Sequence, residues 1–367
     1  MRGSKDQQVT MLGLLTPDQL IPARHPIRRI KPLVDGALQD LEPSFETMYA
    51  KLGRPSIPPE RLLKGCLLMA LYSIRSERQF CERLQYDLLF KWFLDLNVED
   101  PAFDHSSFAK NRDRLLQHEV ARRFFEAVLE QARRRHLLSS DHFTVDGTLL
   151  EAWASLKSLR PRDEDDGEPG AGAGGGRNPE VNWHGRPRSN ATHISKTDPE
   201  ARLARKGNNQ PAKLYFSGHL LMENRNGLAV DVLVTEATGY AEREAALEML
   251  GRYRPRTGDD RWTVGADKGY DIAGFVDGCR ELGVTPHVAQ NTSNRRSAID
   301  GGTADSPGYQ VSQRVRKRIE EIMGWVKVVG GGRKLRYIGV EANQLWAEMT
   351  TTAYNLIRIS NLVAEGA

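Results

Sequence analysis

The chain has 367 residues, of which 39% are hydrophobic and 27% charged, and its formal net charge is +4. This length allows two or three domains, each with a core of its own, and the modest positive charge permits a polyanionic partner. No run of about 18 apolar residues occurs and the N-terminus lacks the apolar stretch of a signal peptide, so we expect a cytoplasmic protein with no membrane partner.

Residues 1–50 are predicted to form an irregular N-terminal arm, because prolines recur through them and would break any long helix. The prolines that carry this expectation are Pro22, Pro26, Pro32 and Pro43. Beyond the arm, apolar residues recur at helical spacing, as in PPERLLKGCLLMALYSI. The pattern predicts an all-α domain at 51–137.

Within this helical domain, a short turn at 73–76 separates two helices, and Ser76 is a candidate N-cap for the second. Helix-turn-helix motifs of this kind place their second helix in the major groove of DNA. Generic packed helix pairs share the same pattern. The domain is therefore predicted to bind DNA or to support dimerisation.

From residue 138 to residue 367, strand and helix patterns alternate. Candidate strands lie at 142–150, 213–222, 228–235, 262–267 and 284–289. Candidate helices lie at 240–253, 271–283 and 339–364. The last is expected to pack on the other face of the sheet through Leu345, Met349, Tyr354, Leu356, Ile357 and Leu362. This order predicts an α/β domain in which helices flank a mixed five-stranded sheet.

An insert at 157–212 interrupts this alternation and contains the acidic run RDEDDG and the glycine run AGAGGG. Such a composition cannot bury enough apolar surface to offset the entropy lost on ordering. We therefore expect at least residues 161–180 to be flexible. A phosphate-binding loop is disfavoured, because no Gly-Lys-Ser/Thr follows the glycines and the flanking acids would repel phosphate.

Three carboxylates stand out in the second half of the chain. Asp146 and Asp267 lie in the apolar, β-prone runs HFTVDGTLLEAW and WTVGADKGYD, and Glu320 lies in the basic segment RVRKRIEEIMGWVK. Carboxylate oxygens suit Mg²⁺ or Mn²⁺, and two such ions about 3.5–4 Å apart can catalyse displacement at a phosphodiester. The residues predict a metal-dependent enzyme acting on DNA, with Asp146 bridging both ions. Asp271 rivals Asp267, although its expected role is to cap the next helix.

The segment around Glu320 is predicted to form one helix with two adjoining stripes. At about 100° per residue, Gln313, Arg316, Glu320 and Lys327 fall on one face, and the apolar residues fall beside them. Glu321 projects about 100° away and is not an equivalent candidate. The alternative is an ordinary amphipathic helix with a surface pair between Arg316 and Glu320, contributing about 0.3–0.5 kcal/mol.

Basic residues cluster in two places that could contact phosphates. The first cluster flanks Glu320 and contributes Arg314, Arg316, Arg318, Lys327, Arg333, Lys334 and Arg336. The second is Arg133, Arg134 and Arg135. Either run could instead be a solvated helix face.

Neither a disulfide framework nor a zinc site is favoured. The three cysteines lack metal-ligand spacing and are odd in number, so we expect reduced thiols in or near a core. A zinc site formed by His184, His193 and His219 is a weaker alternative, because these histidines have no cysteine partners and no tight spacing.

The spacing Arg316-x3-Glu320-x6-Lys327, followed by GGGRKLRY at 330–337, resembles the catalytic motif of bacterial insertion-sequence DDE transposases of the insertion-sequence-five group. The resemblance extends to VDGT at 145–148, GADKGYD at 265–271, THISKTDPEAR at 192–202 and GRP at 53–55. It departs from the group at Gln313, where a tyrosine is usual.

The resemblance implies a ribonuclease-H-like catalytic domain preceded by the all-α domain. It implies that Asp146, Asp267 and Glu320 are the catalytic and metal-binding acids, with two Mg²⁺ or Mn²⁺ ions. The implied partners are the terminal inverted repeats and the target, both double-stranded DNA, bound by a homodimer or larger assembly on the bacterial nucleoid. A ribonuclease-H-like nuclease without strand transfer is one alternative, and a non-catalytic DNA-binding protein derived from a transposase is another.

Overall fold

A helical region precedes a mixed β-sheet in the computed structural model of the chain, and the last helix contacts both. The structure describes residues 16–48, 56–117, 119–162, 188–207, 209–253, 262–293 and 295–366. The helices are α1 (Pro17–Leu20), α2 (Ile27–Met48), α3 (Pro59–Leu71), α4 (Glu77–Tyr86), α5 (Leu88–Phe93), α6 (His105–Gln117), α7 (Val120–Arg134), α8 (Ala241–Arg252), α9 (Ala273–Glu281), α10 (Gly301–Ala304), α11 (Pro307–Val315), α12 (Ile319–Val328) and α13 (Val340–Glu365). The strands are β1 (His142–Glu151), β2 (Leu159–Pro161), β3 (His193–Ser195), β4 (Arg202–Ala204), β5 (Lys213–Glu223), β6 (Ala229–Glu236), β7 (Trp262–Ala266) and β8 (Val284–Val288).

The described part of the N-terminal region is helical, so the prediction of an irregular arm over 1–50 is wrong there. Helix α2 continues through Pro32 and Pro43, both of which are exposed. Its buried side chains are Ile27, Ile30, Leu33, Val34, Ala37, Leu38, Leu41 and Phe45. Burying a large apolar side chain contributes about 1.5–3 kcal/mol, so this face offsets a cost of about 3 kcal/mol for each interior proline.

Helices α3 to α7 form the predicted all-α region around an aromatic core. The fully buried phenylalanines of this core are Phe80, Phe90, Phe93, Phe108 and Phe124. The predicted helix pair is confirmed, since α3 and α4 are separated by a short turn. The side chain of Ser76 caps α4 by accepting a hydrogen bond from the Gln79 N–H at 3.3 Å.

The predicted strands form one mixed sheet with β1 at its centre. Strand β1 pairs antiparallel with β5 on one side and parallel with β7 on the other, while β6 lies beyond β5 and β8 beyond β7. The short strand β4 also pairs with β5. Each of the five main strands begins and ends within one residue of its predicted limits. This confirms the α/β, ribonuclease-H-like architecture with a mixed five-stranded sheet.

The two faces of the sheet pack against different helices. Phe143 and Val145 of β1 belong to the core shared with α8 and α9, whereas Leu150 belongs to the core shared with α12. Successive side chains of a strand point to opposite faces. Asp146 therefore projects toward the face that carries α12.

Helix α13 joins the helical region to the sheet. Trp346 and Ala347 pack with the sheet, but Leu345, Met349 and Leu356 lie in the core of the helical region. The expectation of packing on the sheet is therefore wrong for these last three residues, whereas Tyr354 does pack against the core of the sheet. Neither α13 nor any other helix in the described ranges combines the length and apolar character that a membrane span needs.

Of the predicted insert at 157–212, the structure describes residues 157–162, 188–207 and 209–212. Strands β2 and β3 pair antiparallel as a small ribbon. Of the stretch predicted to be flexible, 161–180, residues from 163 onward lie outside the described residues. After the insert, the Glu200 carboxylate accepts a hydrogen bond from the Val340 N–H at 2.7 Å, which ties this segment to the start of α13.

Candidate active site

Asp146 and Asp267 are brought side by side by the parallel pairing of β1 with β7. The register aligns Thr144 with Gly265, and each aspartate lies two residues further along its own segment. Neighbouring strands lie about 4.8 Å apart. The fold thus places next to each other, just beyond the paired residues of β1 and β7, two carboxylates that are far apart in the sequence.

Each aspartate is held by one backbone N–H, which leaves its second oxygen open. The Gly147 N–H donates to Asp146 Oδ1 at 2.8 Å, and the Gly269 N–H donates to Asp267 Oδ1 at 2.7 Å. Among the described residues, none donates a hydrogen bond to the Oδ2 atom of either aspartate. Burial raises the pKa of Asp146 to about 6, aided by the charges of Asp267 and Glu242 and opposed by the Gly147 hydrogen bond.

Two cations lie on either side of Asp146 along the same face of β1. A Cβ atom placed on Gly265 would lie 3.5 Å from the Cβ of Arg316. Further along, the Lys327 ammonium donates a hydrogen bond to the Thr148 hydroxyl. Asp146 and Thr148 project to the same face of the strand. Positive charge therefore flanks the aspartate where a phosphate group would need it.

The continuous helix predicted around Glu320 is interrupted. Helix α11 ends at Val315, residues 316–318 form a 3₁₀ turn, and α12 begins at Ile319. A 3₁₀ turn has about 3.0 residues per turn rather than 3.6, so the single face predicted for 313–327 is shifted at this point. The buried positions of Ile319 and Ile322 nevertheless confirm that the apolar stripe of α12 packs on the sheet.

Glu320 lies on the first turn of α12, and its side chain is exposed. It shares a face with Lys327, seven residues later, because about 100° per residue returns the helix to nearly the same direction. Along the chain it falls between the contact of Arg316 with β7 and the contact of Lys327 with β1. No described side chain forms a hydrogen bond or an ion pair with Glu320, so its carboxylate is available to a ligand.

Gln313, the departure from the resembling group, positions Arg316. Its Nε2 atom donates to the His287 carbonyl oxygen at 2.6 Å, and its Oε1 atom accepts from Arg316 Nε at 3.0 Å. The glutamine thereby links the end of β8 to the guanidinium group. Nothing in the sequence around Gln313 indicates this role.

Glu242 is a carboxylate of this region that the sequence analysis missed. It lies on the first turn of α8, and its Cγ atom is 2.8 Å from the position that a Cβ on Gly147 would occupy. Burial raises the pKa of Glu242, and the charge of Asp267 raises it further. An acid in the first turn of a helix is favoured by the helix dipole alone. Its position in AEREAALEML therefore indicates nothing about a site.

The donor atoms suit a hard divalent cation. Within the described ranges, no three His, Cys, Asp or Glu side chains converge closely enough to enclose a metal ion. Asp146 and Asp267 each present an oxygen without a hydrogen bond, and the buried Tyr270 hydroxyl has no partner. Carboxylate and hydroxyl oxygens, with water completing the shell, fit Mg²⁺ or Mn²⁺.

The alternative metal ligands considered from the sequence, Asp271 and the three histidines, do not form a metal site among the described residues. Asp271 is buried, and its two carboxylate oxygens accept hydrogen bonds from backbone N–H groups of the 291–298 loop at 2.6 and 2.8 Å. It holds this loop and does not cap α9, so the predicted capping role is wrong. Of the possible zinc ligands, His193 lies on β3 and His219 on β5, in different sheets, and His184 lies outside the described residues.

The other basic residues near α12 divide into two groups. Arg314, Arg333 and Lys334 are exposed. Arg318 and Arg336 are half-buried and donate to backbone carbonyl oxygens, that of Asn224 at 3.1 Å and that of Ile74 at 3.0 Å respectively. The second group therefore contributes to packing between elements.

The basic cluster at the end of α7 is partly neutralised. Arg133 forms an ion pair with Glu130, and Arg134 lies 3.7 Å from the same carboxylate. Arg135 is exposed and donates to the Gln131 carbonyl oxygen at 3.0 Å. Of the three arginines, Arg135 has the guanidinium group with the least competition from nearby acids.

The turn between α3 and α4 contacts the segment that follows α12. Arg75 donates to the Lys334 carbonyl oxygen at 2.6 Å, and the Tyr337 hydroxyl donates to the Glu77 carboxylate at 3.3 Å. Gly330 permits this segment to lie close to α13, since a Cβ there would come within 2.2 Å of Thr350 Cγ2. The helix pair is therefore anchored to the sheet-bearing region.

Comparison with known proteins yields two family matches and several structural similarities. Residues 15–114 match a family described as a transposase domain (DUF772), and residues 190–356 match a family described as a transposase DDE domain. The structure is similar to piggyBac transposase in a synaptic complex with hairpin DNA, with 10% identity, a TM-score of 0.41, and coverage of 93% of this chain and 76% of that chain. It is also similar to a pre-cleavage Mos1 transpososome, with 9% identity, a TM-score of 0.21 and coverage of 95% and 99%. A Mos1 transposase paired-end complex with the left transposon end gives 11% identity, a TM-score of 0.20 and coverage of 82% and 89%.

The two family matches fall on different parts of the fold. The first spans α1 and the helices up to α6, and the second spans β3 to β8 and the helices that carry Glu320 and Lys327. Asp267 and Glu320 lie inside the second match, whereas Asp146 precedes it. With both domains in one chain, the protein is a DDE transposase, an enzyme that cleaves DNA and transfers the cut strands.

Proposed function

We propose that Asp146, Asp267 and Glu320 form the catalytic centre of this transposase and hold two Mg²⁺ or Mn²⁺ ions. The observation that carries this proposal is the adjacency of Asp146 and Asp267 just beyond the paired residues of β1 and β7, with an open carboxylate oxygen on each. The exposed Glu320 carboxylate on the neighbouring helix supports it. Such ions, when bound, activate a water or a 3′-hydroxyl and stabilise the leaving oxygen.

The protein side chains would orient and neutralise the DNA backbone at this centre. Arg316, anchored by Gln313, can form two hydrogen bonds to a phosphate group. Lys327 supplies a compact positive charge on the other side of Asp146. These two cations lie beside the acids, so they would act on the scissile phosphate.

The proposed substrates are the terminal inverted repeats of an insertion sequence of the insertion-sequence-five group and a double-stranded target. The spacing of Arg316, Glu320 and Lys327 and the glycine-rich run at 330–332 support this assignment. A homodimer or larger assembly would pair two ends, and the DNA substrate would place the protein on the bacterial nucleoid. Exposed Arg314, Arg333 and Lys334 are the proposed backbone contacts near the site.

The test is cleavage and strand transfer on the DNA that flanks the gene encoding this protein. Asp146→Asn, Asp267→Asn and Glu320→Gln each keep the side-chain shape but remove a charged ligand. Each should lower Mg²⁺-dependent cleavage by about 10³-fold or more, while DNA binding and melting temperature change little.

Glu321→Gln is the matched control and should cleave as the unchanged protein does, because Glu321 projects about 100° from Glu320. Near-normal cleavage by any one of the three acid variants would remove that residue from the centre. Cleavage without joined product in the unchanged protein would instead favour a nuclease.

A further inference from the structure

Glu242 approaches Asp146 from the opposite face of β1. A Cβ on Gly147 would lie 2.8 Å from Glu242 Cγ and 3.1 Å from its Oε1 atom. The glutamate side chain therefore lies against the backbone of the residue that follows Asp146. No described residue donates a hydrogen bond to the Glu242 carboxylate. Glycine at 147 is the residue type that allows this close approach.

A buried hydroxyl group faces the same carboxylates. Tyr270 is 1% exposed, and its hydroxyl has no hydrogen-bond partner among the described residues. The negative charges of Glu242, Asp146 and Asp267 all act on this hydroxyl and, with burial as the largest cause, hold its pKa above its ordinary value. A buried hydroxyl without a partner costs about 1–3 kcal/mol. A buried hydroxyl without a partner, in the field of three carboxylates, indicates a place where a bound ligand would complete its contacts.

We propose that Glu242 is a fourth carboxylate of the divalent-cation site and that Tyr270 is a positioning residue whose hydroxyl orients the carboxylates around it. The proposal rests on the proposed function. Glu242 and Tyr270 lie on the α8 and α9 side of the sheet, whereas Arg316 and Lys327 lie on the α12 side. The cation would thus be held from the side of the site opposite the phosphate-binding cations.

Mn²⁺ binding to the full chain without DNA, followed by the electron paramagnetic resonance of free Mn²⁺, tests this inference apart from catalysis. Glu242→Gln and Tyr270→Phe should each weaken Mn²⁺ binding by about tenfold. Glu244→Gln, an acid on the same first turn that projects about 200° away from Glu242, should bind Mn²⁺ as the unchanged protein does. Asp146→Asn is the reference for a lost ligand.

Melting temperature in EDTA separates a cation-binding role from a structural one. Glu242→Gln removes a repelling charge and Tyr270→Phe removes an unpaired hydroxyl, so both variants should melt at or above the temperature of the unchanged protein. Unchanged Mn²⁺ affinity in either variant would overturn the role given to that residue. If Glu242→Gln fails to fold, its role is structural and the inference is wrong. If the unchanged protein and Asp146→Asn bind Mn²⁺ equally weakly, the proposed metal centre itself fails.

Discussion

Lys327 is a basic side chain of α12 that contacts β1 directly. Its ammonium group contacts the Thr148 hydroxyl two residues beyond Asp146. Burial lowers the pKa of Lys327, and the positive charge of Lys206 lowers it further, whereas the negative charge of Asp146 raises it. A positive charge held in this way is already oriented before a phosphate arrives, which is how fixed charges stabilise a transition state.

We expect Lys327→Ala to lower cleavage at saturating DNA by about 10²-fold while DNA affinity changes little, because the charge acts on the scissile phosphate. Single-turnover cleavage and filter binding on the same DNA measure the two effects. Lys317→Ala, an exposed lysine of the 3₁₀ turn, is the control and should leave cleavage unchanged. Loss of salt-dependent affinity alone, with normal cleavage at saturation, would show that Lys327 is a general backbone contact.

At the scale of single elements, α2 shows how burial overrides a local preference. An interior proline removes a helical hydrogen bond and clashes with the preceding turn. Pro43 is nevertheless exposed within α2, so its ring contributes no core packing. The stability of this helix depends on its buried face and not on the proline.

Pro43→Ala is therefore expected to stabilise the protein, by about 1–3 kcal/mol, because it restores the missing backbone hydrogen bond without opening a cavity. Urea unfolding of both proteins measures the difference. An irregular arm at this position would give the opposite result, since alanine would then only increase the freedom of the unfolded chain.

Helix α13 carries a buried acid where three elements meet. Glu348 accepts a hydrogen bond from Gln344 at 2.9 Å and lies near the pairs that Asp231 forms with Arg122 and Arg252. Burial raises the pKa of Glu348 to about 7, opposed by Gln344 and the two arginines. Between pH 4.5 and about 7 the folded protein then binds more protons at this group than the unfolded chain.

The free energy of unfolding should therefore fall as the pH rises through this window. Glu348→Gln, which resembles the protonated acid, should equal the unchanged protein below pH 4.5 and exceed it by up to about 3 kcal/mol above pH 7. Urea unfolding at several pH values measures this divergence. A constant difference between the two proteins across the range would contradict it.

At the scale of the whole molecule, positive charge is unevenly available to DNA. The cations beside Asp146 are fixed by Gln313 and Thr148, and those at the end of α7 differ in their pairing. The net charge of +4 is small, so these local differences decide where DNA binds. Binding and cleavage should depend on different arginines and lysines.

Arg135→Ala should weaken DNA binding and reduce the slope of log affinity against log salt by about one unit, as expected for one lost phosphate contact. Arg133→Ala should change the slope less, because Glu130 already neutralises that arginine. Titrations at several salt concentrations provide the slopes. Equal slopes for Arg135→Ala and the unchanged protein would exclude this end of α7 from the DNA interface.

The sequence predicted the five strands and their order along the chain. Alternating and continuous apolar runs are local features, and the turn residues that bound them can be recognised in the sequence itself. The sequence also placed Asp146 in the first of these strands and Asp267 at the end of the fourth. Its limits appear at α2, where a tertiary core outweighs two prolines, and at α13, which shares its apolar faces between two cores.

The candidate site divides in the same way. Asp146, Asp267 and Glu320 could be singled out because carboxylates in apolar runs and in a basic segment are unusual in their immediate neighbourhood. The sequence could not single out Glu242, Tyr270 or the role of Gln313. An acid in the first turn of a helix, a buried tyrosine and a polar helix residue each have an ordinary local explanation. Three tertiary features place the side chains of the site: the register between β1 and β7, the 3₁₀ turn at 316–318 and the close approach of Glu242 to Gly147. The tertiary structure decides them, because the strand register and the approach to Gly147 join residues that are distant in the chain.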